Sequence, residues 1–208
     1  MTLYDSLVNQ LTAFRADGIF NPFAEVDPAL DLPDAPQRRL ENLRLYLKAH
    51  PGPRFLLIGE AMGYAGGRFS GIAFTSESDL VGDNPLPWTK RLDVQRSSNA
   101  DKLFKERSAA IVWPEVIKRG DDCLLFNTFP WHPFNEKKGP LSNKHPGRLA
   151  AEGLPILRML LDAYPAATPV AIGRTAEKAL VEFGIEARYV RHPSHGGAPE
   201  FKKGVSEL

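Results

Sequence analysis

The chain has 208 residues, enough for one domain with its own core, and 43% of them are apolar against 25% charged. Its 26 Lys and Arg nearly balance 25 Asp and Glu, so any nucleic-acid binding has to rest on a local basic patch rather than on overall charge. Cys123 is the only cysteine, which excludes an intrachain disulfide and a cysteine-ligated iron–sulfur cluster. No apolar run approaches the roughly 18 residues that a membrane span needs.

The opening MTLYDSLVNQLTAF lacks the basic stretch, unbroken apolar run and cleavage site of a secretory leader, so a cytoplasmic protein is expected. Residues 1–208 read as a single domain without repeats. Residues 2–14 form an amphipathic helix, with Leu3, Leu7, Leu11 and Phe14 at helical spacing. Residues 18–35, rich in Pro and Asp, are an irregular connection. A second helix over 36–49 places Leu40, Leu43 and Leu47 on one face and stops at Pro51. The apolar run 54–58 is a buried strand. Residues 101–118 read as a helix kinked at Pro114. The CLLFN run within 122–128 is a second buried strand. A helix over 152–163, a strand over 169–172, a helix over 175–183 capped by Gly184, and a strand over 186–190 complete the chain. Strands alternating with helices predict a parallel α/β sheet with helices on both faces, and such sheets bind ligands beyond the carboxyl ends of their strands.

Polar residues follow each predicted strand end. Gly59-Glu60 follows the first; the second ends on Asn127 and is followed by Thr-Phe-Pro-Trp-His. Gly173-Arg174 follows the third and Arg191-His192-Pro193-Ser194 the fourth. A carboxylate such as Glu60 orients water or stabilises positive charge. An Asn amide offers a donor and an acceptor to a base edge, and a His donates to a developing oxyanion. Phe74, Phe129 and Trp131 are candidates to stack on a flat ring. Each residue also has an ordinary structural reading, as a loop carboxylate, a strand-end Asn, a loop His or a core aromatic. The glycines match neither a dinucleotide fingerprint nor a Walker loop, and the five histidines lack metal-ligand spacing. Lys137, Lys138, Lys144 and Arg148, and separately Arg188 with Arg191, are candidate basic patches or plain solvated surface.

These residues carry a resemblance. GEAMGYAGGRFSGIAFTSE resembles the first active-site motif of the uracil-DNA glycosylase superfamily, and RHPSHGG resembles its second, usually His-Pro-Ser. Between them LLFNT resembles the strand that supplies a base-reading Asn, and IGRTAEKAL resembles a helix start of that family. The resemblance covers residues 54–197 in the expected order. It implies a three-layer α/β/α fold with a central four-stranded parallel sheet and an enzyme that hydrolyses the N-glycosidic bond of uracil or a related base. It also implies that Glu60 and His192 are catalytic, that Phe74, Asn127, Ala61 and Met62 hold the base, and that Ser194, Gly196 and Gly63 meet DNA phosphates. Neither metal nor redox cofactor is required by that chemistry.

Several positions depart from the family pattern. Met62 stands where many relatives have Pro, and Ala61 where the best-known branch has Asp, which leaves Glu60 to act on water. The glycine-rich run after Met62 is similar to the single-strand-selective monofunctional branch. After Ser194 the chain runs His-Gly-Gly-Ala-Pro, and Phe201 is the first large apolar residue available as a duplex wedge. The expected partner is therefore DNA, single-stranded or mismatched in preference, and the expected state a monomer without membrane contact. Alternatives are a member specific for a deaminated purine or modified pyrimidine, a non-catalytic nucleic-acid binder, and a small-molecule nucleoside hydrolase.

Overall fold

The computed structural model describes residues 2–208, apart from the side chain of Asp121. Its centre is a four-stranded parallel sheet flanked by helices, as expected. In chain order the strands are β1 (Ile19–Phe20), β2 (Phe55–Ala61), β3 (Cys123–Phe129), β4 (His132–Pro133), β5 (Thr168–Ile172) and β6 (Arg188–Val190). The sheet order is β3-β2-β5-β6, and β1 and β4 form a separate antiparallel pair that sequence patterning did not anticipate. The helices are α1 (Leu3–Ala13), α2 (Ala35–Ala49), α3 (Gly67–Ser70), α4 (Glu77–Val81), α5 (Ala109–Lys118), α6 (Leu154–Ala163), α7 (Arg174–Glu182) and α8 (Ala198–Ser206).

The apolar runs explain the centre of the sheet. Phe55, Leu56, Leu57 and Ile58 of β2 and Cys123 to Phe126 of β3 are all buried, as strands covered on both faces must be. β3 is an edge strand, and the Tyr46 hydroxyl of α2 accepts the Leu125 N–H at 2.7 Å, satisfying a donor the ladder leaves free. Strand β2 continues past the expected end at Ile58, because Gly59 and Ala61 pair with Asn127 and Phe129 of β3.

Three further expectations are corrected. Residues 101–108 are not helical: Phe104 stacks on Phe69 with ring centroids 3.9 Å apart, and its carbonyl accepts the Ser78 N–H, so tertiary contacts hold the chain out of the helix that local pattern favours. Phe129 and Trp131 are core residues packed with Phe14, and Trp131 Nε1–H donates to the Leu11 carbonyl, so neither ring is free to stack on a ligand. Finally, residues 198–206, where the sequence pattern assigns no element, form α8. Pro199 is tolerated in its first turn, and Phe201 and Val205, one turn apart, are buried. Phe201 is wholly shut from solvent and is no duplex wedge.

Beneath the first motif lies a buried ionic network. Asp31 Oδ1 bonds both Arg39 at 2.5 Å and Arg68 at 2.7 Å, and all three side chains are fully buried. The Arg68 guanidinium lies between the Phe20 and Phe69 rings, 4.2 and 4.1 Å from their centroids. Arg39 also reaches the Ser97 hydroxyl, and Glu77 accepts the Ser97 and Ser98 N–H groups. The network ties α2 and the 21–31 stretch to α3, and so holds the loop that follows β2.

Candidate active site

A cavity of about 430 Å³ opens at the carboxyl edge of the sheet. Glu60, Ala61, Met62, Gly63, Phe74, Asn127, His192 and Ser194 all line it. Gly196, the remaining candidate, is exposed with φ +77° and is not part of the lining. The carboxyl ends of β2, β3 and β6 thus converge as their sequences suggest. Phe74 arrives from the 71–75 turn, which the Ser70 hydroxyl braces by donating to the Thr75 carbonyl at 2.6 Å.

Period-2 alternation along β2 separates two jobs. Gly59 faces the same side as its register partner Asn127, and the two approach closely. A methyl group at Gly59 would stand 2.5 Å from Phe74 Cε2 and 2.6 Å from Asn127 Oδ1, so glycine is required there. Glu60 faces the other way, toward α7 and the 143–146 loop. It lines both the main cavity and a second one of about 280 Å³ bounded by Arg174, Thr175 and Lys178. Burial pushes its carboxyl above the usual carboxylate range, opposed by His145, whose Nε2 lies 3.7 Å from Oε1, and by a hydrogen bond from Thr175.

Phe74 has φ +51°, a left-handed conformation that is costly for an aromatic residue and that recurs at functional sites. Its ring centroid is 5.9 Å from that of His192, at an interplanar angle of 41°. The Asn127 side-chain amide is nearly buried and has no partner among the described residues, so its donor and acceptor face the cavity.

The His192 tautomer follows from its neighbours. The Ser194 backbone N–H donates to His192 Nδ1 at 3.1 Å, and the Ser194 hydroxyl lies 2.7 Å from the same atom. Nδ1 is therefore the acceptor, and the ring proton sits on Nε2, free to donate. Burial, then Arg191 and His195, push the imidazole down to about 4, so it is neutral at physiological pH. Ser194 spends both its donors on His192 and acts here as its positioning residue; holding a phosphate requires the hydroxyl to turn.

Six lining residues were not among the site candidates: His195, Glu106, Ser108, Asn143, Lys144 and His145. The polar run Ser-Asn-Lys-His after β3 was the available signal for the last three, of which Lys144 had been noted only as part of a basic patch. Glu106 and Ser108 were hidden inside the expected helix. Of the other basic candidates, Arg188 turns away to the C-terminal carbonyls of Glu207 and Leu208. Among the described residues, no group of three or more His, Cys, Asp or Glu stands close enough to hold a metal ion. None of the helices described is long and apolar enough to cross a membrane.

No protein-family model and no curated protein sequence matches the chain. Among solved structures, the chain is similar to wild-type SMUG2 of Pedobacter heparinus, with a TM-score of 0.65 and 15% sequence identity, over 100% of this chain and 95% of that one. The shared architecture is the uracil-DNA glycosylase-like fold, a four-stranded parallel sheet between helices.

Proposed function

We propose that the chain is a monofunctional DNA glycosylase that hydrolyses the N-glycosidic bond of uracil or a related damaged base. The observation that carries this reading is the convergence, in one cavity, of a carboxylate, an unpartnered Asn amide, a neutral imidazole with its Nε2–H free, and an aromatic ring in a strained conformation. The fold likeness to SMUG2, a uracil-DNA glycosylase superfamily member, supports it.

The chemistry follows from the geometry. A base taken out of the stack lies against Phe74 with its edge on Asn127. As the bond from the sugar C1′ to the base nitrogen breaks, its electron pair moves onto the base. The His192 Nε2–H donates to the carbonyl oxygen where that charge collects. A neutral imidazole suits this role, since it holds the anion without having to be deprotonated first. Ionised Glu60 offsets the positive charge on the sugar, orients water toward C1′ and takes its proton. Lys144 in the cavity lining and Arg191, next to His192 in the chain, supply local positive charge for phosphates.

A uracil-containing oligonucleotide, single-stranded or paired, treated with alkali after incubation, tests the activity by strand cleavage at the abasic site. No cleavage with uracil, hypoxanthine or 5-hydroxymethyluracil overturns the reading. Single-stranded and U:G substrates are expected to react faster than U:A. Phe201 is locked in the core and the 195–197 loop carries only His-Gly-Gly, so nothing there fills the vacated site. Unpairing costs a few kcal/mol, least where the base is already unpaired. Equal single-turnover rates would reassign the wedge to Tyr64, exposed beside the cavity-lining Gly63, or to Leu141, exposed two positions before the cavity-lining Asn143.

Asn127→Asp is expected to lower uracil excision at least about tenfold and move base choice toward cytosine, because a carboxylate accepts from an amino group where the amide donated to a carbonyl. Unchanged rate and selectivity would remove Asn127 from base reading.

A further inference from the structure

Glu106 is a carboxyl that the roles above leave unused. It lines the same cavity as Asn127 and His192, carried there by the irregular 101–108 stretch. It lies against the turn of the first motif: a methyl at Gly63 would stand 3.0 Å from Oε1, and one at Gly66 would collide with Oε2. Oε2 is shut off from solvent, and among the described residues it has no hydrogen-bond partner. A buried polar atom without a partner is costly, and natural structures rarely keep one without a use. Glycines at both positions make the room that lets this carboxyl reach the cavity.

We propose that Glu106 is a specificity-determining residue whose neutral carboxyl donates a hydrogen bond to a carbonyl oxygen of the base held at Phe74 and Asn127, and whose ionised form rejects that base. The proposal rests on the glycosylase reading. In a water-poor pocket a carbonyl oxygen facing a carboxylate is repelled, whereas facing a carboxyl it is hydrogen-bonded. A donor at this point also favours the departing base anion. Burial, and then the Asp79 carboxylate, push Glu106 up to about 7, so both forms are populated at neutral pH. The charged and titratable groups around it are Asp79 on α4, Glu60 on β2, Lys144 and His145 on the loop after β4, and His192 and His195 after β6. Asp79 holds the proton on, and an arriving DNA phosphate reinforces the neutral form.

Single-turnover excision from a single-stranded uracil oligonucleotide, followed from pH 6 to 8.5, tests this in the wild type and in E106Q and E106A. With a midpoint near 7, the neutral fraction of Glu106 falls about thirtyfold over this range, and the wild-type rate is expected to fall with it. In E106Q the falling limb disappears, since an amide donates at every pH. E106A is slow throughout. The same falling limb in E106Q and the wild type overturns the proposal. Should the wild type excise no base at all, the glycosylase reading has failed separately, and a carbon-13 titration of the Glu106 carboxyl then decides. Its midpoint moves upward on saturation with free uracil if the neutral form binds the base, and an unmoved midpoint overturns the proposal.

Discussion

Replacing Glu60 by Gln slows base excision by about a hundredfold or more while leaving the melting temperature within a degree or two of the wild type. The side chain is partly exposed, and Gln is isosteric with it, so the packing around the end of β2 survives. What is lost is the charge that offsets the sugar cation and the site that takes the proton from water. The neighbours sharpen the test. Burial raises the Glu60 pKa, while His145 and the Thr175 hydrogen bond restrain it. Only the ionised form acts as base, so wild-type excision falls as pH drops through that raised pKa, and Glu60→Gln removes this acid limb. Single-turnover rates across the acid range read both effects. An undiminished rate in the mutant would take Glu60 out of the mechanism, and Ala61, which carries no reactive group, could not replace it.

Asp31→Asn has the largest expected cost in stability, about 3–5 kcal/mol, the range seen when one partner of a buried ion pair is removed. Two guanidiniums, those of Arg39 and Arg68, share this one fully buried carboxylate. Burial already presses Arg39 down to about 10, with Asp31 opposing that pressure. Asn keeps the shape and deletes the charge, leaving Arg39 without its ion-pair partner and Arg68 with Asp27 alone, 3.4 Å away. The urea midpoint measures the loss. Because Arg68 belongs to α3, at the end of the glycine-rich loop, excision is expected to weaken even where the variant remains folded. A stability within about 1 kcal/mol of the wild type would mean that Asp27 and the surrounding carbonyls carry the network without Asp31.

This network also marks where sequence reasoning stops. The apolar runs of β2 and β3 were legible because strands covered on both faces admit almost nothing else. The convergence of Glu60, Asn127 and His192 followed from strand ends alone. Arg39 and Arg68 were not legible: as charged residues they pass for solvated surface, and only the fold reveals that Asp31 meets both, eight positions before the first and 37 before the second. The start of α5 was misplaced because the Phe104–Phe69 stack overrides local helical preference, and that error concealed Glu106. In α8 the Gly-Gly-Ala-Pro opening looks like a breaker, yet Pro is at home in a first helical turn, and the buried pair Phe201 and Val205 supplies the packing that the composition obscures. Phe129 and Trp131 were placed correctly in the chain and wrongly in space, since burial against Phe14 depends on where α1 docks.

The contact between Gly59, Phe74 and Asn127 limits how this protein can be diversified. No side chain of any size fits at Gly59, so the floor of the cavity is closed to substitution by geometry. A change of substrate has to come from the walls, which are carried on loops: Glu106, Ser108 and Asn143, with Ala61 at the last position of β2. Loops tolerate replacement better than sheet interiors do. A directed-evolution library aimed at new ligands therefore gains from randomising those four positions while Gly59 and the buried run of β2 before it stay fixed.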